Sequence, residues 1–145
     1  MSFQKACDLV VRTLRCSVPH YNWVGIYLVQ GQELILTAWD GPEATQHTRI
    51  PIGQGICGLA ARERRIVVVD DVNKDPRYLA CFPYTRSEIV APIMKAGRVL
   101  GEIDIDSDTP AAFGAVDEKF LAEVAELLAE RHALVSVKRV QAKAR

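Results

Sequence analysis

Apolar positions along the chain follow two periods. Residues 3–16 carry Phe3, Ala6, Val10 and Leu14 at spacings of three and four, the pattern of a helix with one apolar face. Residues 23–29 and 33–39 are rich in β-branched and aromatic side chains and are separated by Gln30-Gly31-Gln32, which predicts a hairpin. Asp40-Gly41-Pro42 closes the second strand, and a polar segment runs to Arg49. From Gly53 the sequence G-Q-G-I-C-G-L-A-A-R-E is a glycine-rich entry into a short helix of small residues. A strand is predicted over 66–69, a loop with one helical turn over 70–82, and two strands over 89–94 and 98–105 joined around Ala96-Gly97. The last helix is predicted to open at Asp117 as its N-cap, with Glu118 in the first turn. Phe120, Leu121, Val124, Leu127, Leu128 and Leu134 lay its apolar stripe. Hairpins bracketed by terminal helices predict an α+β domain, an antiparallel sheet flanked by N- and C-terminal helices packed on one side.

Composition sets bounds on this picture. The chain has 145 residues, 18 Lys plus Arg and 18 Asp plus Glu, so a single domain without a basic surplus is expected and a nucleic-acid partner is not. Residues 131–145, with five bases and no acid, read as a solvated helix end or tail beyond a core of about residues 3–130. The amino terminus lacks an apolar signal region because Asp8 and Arg12 interrupt it, and no run is long enough to span a bilayer. A cytoplasmic, reducing setting is expected, with Cys7, Cys16, Cys57 and Cys81 as thiols. Cys7 and Cys16 fall on opposite faces of the first helix and cannot bridge. The cysteines form no C-x-x-C pair, so no metal site is expected, and no tightly bound organic cofactor is implied.

The strand G-E-I-D-I-D-S places Glu102, Asp104 and Asp106 on one face and Gly101, Ile103 and Ile105 on the other. Spacing alone is compatible with a water-facing acidic row. A regular two-residue hairpin at Ala96-Gly97 pairs residues whose numbers sum to 193, which sets Glu88 opposite Ile105 and away from the acidic face. Bringing Glu88 onto that face requires a one-residue bulge, for which Pro92 and Gly101 are the candidate hosts.

The segments W-V-G-I-Y-L-V, R-I-P-I-G-Q-G-I-C-G-L-A-A, R-Y-L-A-C-F-P-Y-T-R-S-E-I-V-A-P-I and G-E-I-D-I-D-S, in this order, resemble the GAF domain family. Within it they are similar to the free methionine-(R)-sulfoxide reductases. The resemblance implies a GAF-like (PAS-like) fold and thiol-dependent reduction of free methionine (R)-sulfoxide. It matches Cys81 to the nucleophile and Cys57 to the cysteine of the glycine-rich turn, here a resolving or auxiliary thiol. It matches Glu88, Asp104 and Asp106 to carboxylates that bind substrate and handle its proton, and Trp23 and Tyr27 to pocket aromatics. Partners implied are free methionine sulfoxide or another small molecule, a thioredoxin-type or other thiol reductant, and a second copy in a homodimer. The chain departs at one place: His47 stands where the family commonly carries its resolving cysteine.

The chemistry is coherent. A thiolate attacking sulfoxide sulfur needs a raised-pKa acid to protonate the departing oxygen. A carboxylate suits the substrate ammonium, aromatics its thioether arm, and backbone N–H groups at Gly53, Gly55 and Ile56 its carboxylate. A helix start would also lower the Cys57 pKa. Two other readings stand beside the enzyme. Asn73-Lys74 with Phe113-x-x-x-Asp117-Glu118 satisfies a signature of cyclic-nucleotide-sensing GAF domains, although a Lys74–Asp117 ion pair would explain it structurally. The terminal helices alone would suffice for a dimerisation module.

Overall fold

A computed structural model of the chain describes residues 1–80 and 82–143. Helix α1 spans Phe3–Ser17 and opens on Ser2, whose hydroxyl accepts the Lys5 N–H, an N-cap bond that satisfies an orphan donor. The strands are β1 (Trp23–Gln30), β2 (Glu33–Asp40), β3 (Arg49–Pro51), β4 (Val67–Val69), β5 (Ser87–Lys95) and β6 (Arg98–Ser107). Helix α2 (Gly55–Glu63) lies between β3 and β4, a single 3₁₀ turn covers Val72–Lys74, and α3 runs from Ala115 to Lys143. The six strands form one sheet in the order β3-β2-β1-β6-β5-β4, with every pairing antiparallel. Strand β3 was not expected from the sequence; its three residues are too few to show a period.

The sheet separates two apolar layers. On one side α1 and α3 cover Val24, Ile26, Ile89, Ala91, Ile93, Ile103 and Ile105. On the other, α2 and its flanking loops cover Trp23, Tyr27, Leu34, Val67, Val69 and Val90. The N- and C-terminal helices share one side as expected, and the short α2 is added on the opposite face. Its buried Gly58, Ala60 and Ala61 are small enough to let it pack closely, while Ile56 and Leu59 fill the apolar layer. Ile103 and Ile105 are fully buried, each worth about 1.5–3 kcal/mol of transfer free energy, and this fixes which face of β6 turns toward the helices.

Two local features set the register. Ala96 and Gly97 have φ of 50° and 77°, the left-handed pair of a type I′ turn, with Lys95 opposite Arg98. One step further, Met94 pairs with Val99 but Ile93 pairs with Gly101, so Leu100 is the extra residue of a bulge. Gly101 beside it permits the approach of β1: a Cβ there would overlap the Tyr27 carbonyl. The required irregularity is present, next to one of the two expected hosts.

The start of α3 differs from expectation. The helix opens at Ala115, and Asp117 reaches back to accept the Gly114 N–H at 2.9 Å, the acidic half of a capping box. Asp117 also accepts from the Tyr21 hydroxyl at 2.6 Å and contacts His20 Nε2 at 3.2 Å. The expected Lys74–Asp117 pair does not form; Lys74 Nζ lies 3.8 Å from Asp71. No described helix is long and apolar enough to cross a membrane.

Candidate active site

Because of the bulge, Glu88 on β5 stands directly opposite Asp106 on β6, while Asp104 faces Gly25 and Glu102 faces Tyr27 on β1. The water-facing reading of the acidic row is thereby overturned. Glu88, Glu102, Asp104 and Asp106 are 4%, 0%, 2% and 2% exposed, beneath α2. Side-chain atoms of Cys57, Glu88 and Asp104 all lie within 4.8 Å of one another. Among the described residues, Glu102 Oε1 and Oε2, Asp104 Oδ1, and Asp106 Oδ1 and Oδ2 have no conventional hydrogen-bond partner. The Cys57 thiol faces Asp104 and Glu102.

Burying carboxylates together favours their neutral forms. Desolvation, followed by the charge of Asp104, pushes Glu102 and Asp106 well above the carboxylate range. Desolvation also raises Asp104, against hydrogen bonds from Glu88 and Cys57 that pull it down. Cys57 is corrected in the same way. Its position near the start of α2 would lower a thiol pKa, but burial and then the charges of Asp104, Glu102 and Glu88 raise it well above the ordinary value. The helix terminus loses to burial first and to the carboxylates second.

The cavity over this floor is lined by His47, Ile50, Gly55, Ile56, Cys57, Leu79, Glu88 and Asp104, and encloses about 10 Å³, room for one water-sized species. Leu79 is part of its lining and packs so tightly on Gly55 that a Cβ there would come within 2.8 Å of Leu79 Cδ1. Gly53, expected to offer its N–H, spends it on the Gly58 carbonyl at 2.9 Å; Gly55 and Ile56 remain at the cavity wall.

Trp23 and Tyr27, 2% and 1% exposed, are buried in the same apolar layer as Ile56 and Cys57, but neither lines the cavity. The Trp23 indole lies across Gly25 and Gly41, each of which leaves room that a methyl group would fill. It donates to the Glu43 carbonyl at 3.2 Å, stacks on Trp39 at 6.3 Å and meets Phe82 at 6.0 Å. The Tyr27 hydroxyl donates to the His47 carbonyl at 2.7 Å.

Cys81, the expected nucleophile, lies outside the described residues; the Ala80 carbonyl meets His47 Nε2 at 3.1 Å, and Phe82 is buried against Trp23. The cyclic-nucleotide signature does not converge there. Phe113 is buried among α1 and α3 residues, Asp117 caps α3, and neither lines the cavity. Sequence reasoning gave no role to Glu102 or Leu79. Glu102 was legible in the same alternation as Asp104 and Asp106, whereas nothing in the pattern marked Leu79.

The fold and this pocket define an α+β small-molecule-binding domain with a buried acidic floor. The family model for the GAF domain matches residues 2–131. The chain belongs to the GAF domain family. It is 38% identical over 131 residues to the free methionine-R-sulfoxide reductase of Saccharomyces cerevisiae, covering 88% of this chain and 72% of that protein. Its fold matches the type II free methionine-R-sulfoxide reductase of Thermoplasma acidophilum with a TM-score of 0.85 at 42% identity, over 89% of this chain and 90% of that one. It also matches free methionine-R-sulfoxide reductase from Neisseria meningitidis in complex with its substrate, with a TM-score of 0.84 at 38% identity over 90% and 77%.

Proposed function

We propose that the protein reduces free methionine (R)-sulfoxide at the expense of external thiols. The observation that carries this reading is the buried floor of Glu88, Asp104 and Asp106 beside Cys57, in a chain similar to reductases of that name. Carboxyl groups held neutral in a dry pocket can donate protons at neutral pH, which sulfoxide reduction requires.

In this reading the Cys81 thiolate attacks the sulfoxide sulfur. Sulfur–oxygen cleavage, with one proton from the carboxyl floor and oxygen transfer to the cysteine, gives methionine and a Cys81 sulfenic acid. A first external thiol condenses with that sulfenic acid to a mixed disulfide and water. A second thiol displaces Cys81 and leaves as the oxidised reductant. Two electrons pass from two thiols to one sulfoxide. Cys57 serves as the auxiliary thiol, poorly nucleophilic until substrate changes the charge around it. Glu88 and Asp106 receive the ammonium group, Asp104 delivers the proton, and Trp23 and Tyr27 wall the thioether arm. An amino acid needs more space than the enclosed cavity offers, so Leu79 must swing off Gly55 as it enters.

The test is turnover of free methionine-(R)-sulfoxide with dithiothreitol by wild type and Cys81→Ser. Wild-type activity lost in Cys81→Ser is expected. An inactive wild type would leave a binding domain, and an active Cys81→Ser would remove the nucleophile assignment. A thioredoxin system then replaces dithiothreitol for Cys57→Ser, whose slowed turnover would assign it to recycling.

A further inference from the structure

We propose that His47 is a positioning residue, a brace that orients the backbone immediately preceding Cys81; this rests on the reductase reading above. His47 is held on both sides. The Tyr27 hydroxyl donates to its carbonyl at 2.7 Å, and its own N–H donates to Thr45 Oγ1 at 3.1 Å. Tyr27 belongs to β1, flanked by β2 and β6, and Thr45 is buried, so both anchors are rigid. From that seat the imidazole reaches 3.1 Å from Nε2 to the Ala80 carbonyl. A carbonyl only accepts, so Nε2 carries the hydrogen and donates.

Ala80 is the residue before Cys81. Its carbonyl lies in the planar peptide unit that joins the two residues, so a directional bond to that oxygen fixes the rotation of the unit. Beside this bond, Leu79 packs on Gly55, and Phe82 packs against Trp23 and Tyr84. His47 therefore couples the central strand, through Tyr27, to the Ala80 carbonyl, in a place where its side chain has no thiol to contribute.

The experiment compares wild type, His47→Ala, His47→Gln and Tyr27→Phe by steady-state reduction of free methionine-(R)-sulfoxide with dithiothreitol and by hydrogen exchange of the peptide spanning residues 77–85. His47→Ala is expected to lose about 10–100-fold in kcat, the scale of an ångström-level misplacement, with KM within about threefold. Its amides in that peptide should exchange about tenfold faster, since a local opening becomes easier. His47→Gln, whose amide can still donate to the Ala80 carbonyl, should return both readouts to within about threefold of wild type. Tyr27→Phe should move in the direction of His47→Ala, and the double variant should be no worse than His47→Ala, because both act through one connection. Wild-type kcat and exchange in His47→Ala would overturn the brace, as would a His47→Gln indistinguishable from His47→Ala. If wild type shows no turnover, the substrate assignment fails and the exchange comparison alone decides the brace.

Discussion

Glu102→Gln should stabilise the substrate-free protein, and increasingly so as pH rises. Glu102 is fully buried, and both its carboxylate oxygens lack a conventional partner among the described residues. It faces Tyr27 on β1 and Pro92 on β5, with Asp104 on its own strand and Cys57 on α2. None of these is a cation, and desolvation followed by the charge of Asp104 holds its pKa well above the ordinary value, against the opposing pull of the Cys57 thiol. Below about pH 4 both native and unfolded chains carry the proton, and the group contributes no pH dependence. Above that, the unfolded chain releases it while the native protein retains it, so wild-type stability falls as pH rises until the native group also ionises. The slope is 2.303RT per retained proton, about 1.4 kcal/mol per pH unit. For 145 residues, an unfolding entropy of about 2.1 cal/mol/K per residue converts this to about 4–5 °C per pH unit. Glutamine keeps the shape and removes the titration. Urea unfolding at pH 5, 6, 7 and 8 should show the variant's advantage growing by about that slope within the window where native Glu102 stays protonated. An advantage that is constant with pH, or a variant less stable than wild type at pH 8, would show that native Glu102 does not retain its proton.

Other consequences follow from the same geometry. Because the Cys57 pKa is raised by burial and then by Asp104, Glu102 and Glu88, a disulfide reagent at pH 8 should modify exposed Cys16 well before Cys57, as peptide mapping would reveal; comparable rates would contradict the raised pKa. Trp23→Ala should cost about 3–5 kcal/mol by denaturant unfolding, and Gly41→Ala should disturb activity with little loss of secondary structure by pushing the indole from its seat. Asp117 is held below its usual pKa by the Tyr21 hydroxyl, the Gly114 N–H and His20, against the opposing pull of burial. Its contribution is thus present above the unfolded pKa and lost as pH falls through the native one, so Asp117→Asn should destabilise by about 1–2 kcal/mol at pH 7 and by less at pH 3. Leu79→Ala should lower KM for the sulfoxide in steady-state assays, since it opens the cavity over Gly55; a raised KM would show that Leu79 holds substrate rather than excludes it.

The elements of this fold were legible wherever a period had room to repeat. Fifteen residues of α1 and the long alternations of β1, β2, β5 and β6 declared themselves, while three-residue β3 could not. The acidic floor was half legible. Alternation put Glu102, Asp104 and Asp106 on one face, but alternation is silent about what covers a face, and a row of carboxylates reads more easily as facing water. What decided the matter was α2 lying across them, a helix whose small residues are themselves ambiguous in isolation. The conflict over Glu88 was sharper, because regular pairing and a shared pocket were mutually exclusive, and the extra residue at Leu100 is the resolution that arithmetic demanded.

His47 shows the opposite limit. In the sequence it registers as a missing cysteine, a loss judged by comparison with similar chains. In three dimensions it makes a bond that a cysteine side chain is too short and too weak a donor to make at the same reach. A residue that acts by holding another residue's backbone leaves no periodic trace, since its partner lies 33 positions away and any donor of the right length would serve. The distinction between a binding domain and an enzyme rests on the same segment. The acidic floor can hold an ammonium group in either case, but only a thiol held in a fixed orientation converts binding into reduction. That places the burden of the chemistry on the connection from Tyr27 through His47 to Ala80 as much as on the carboxylates.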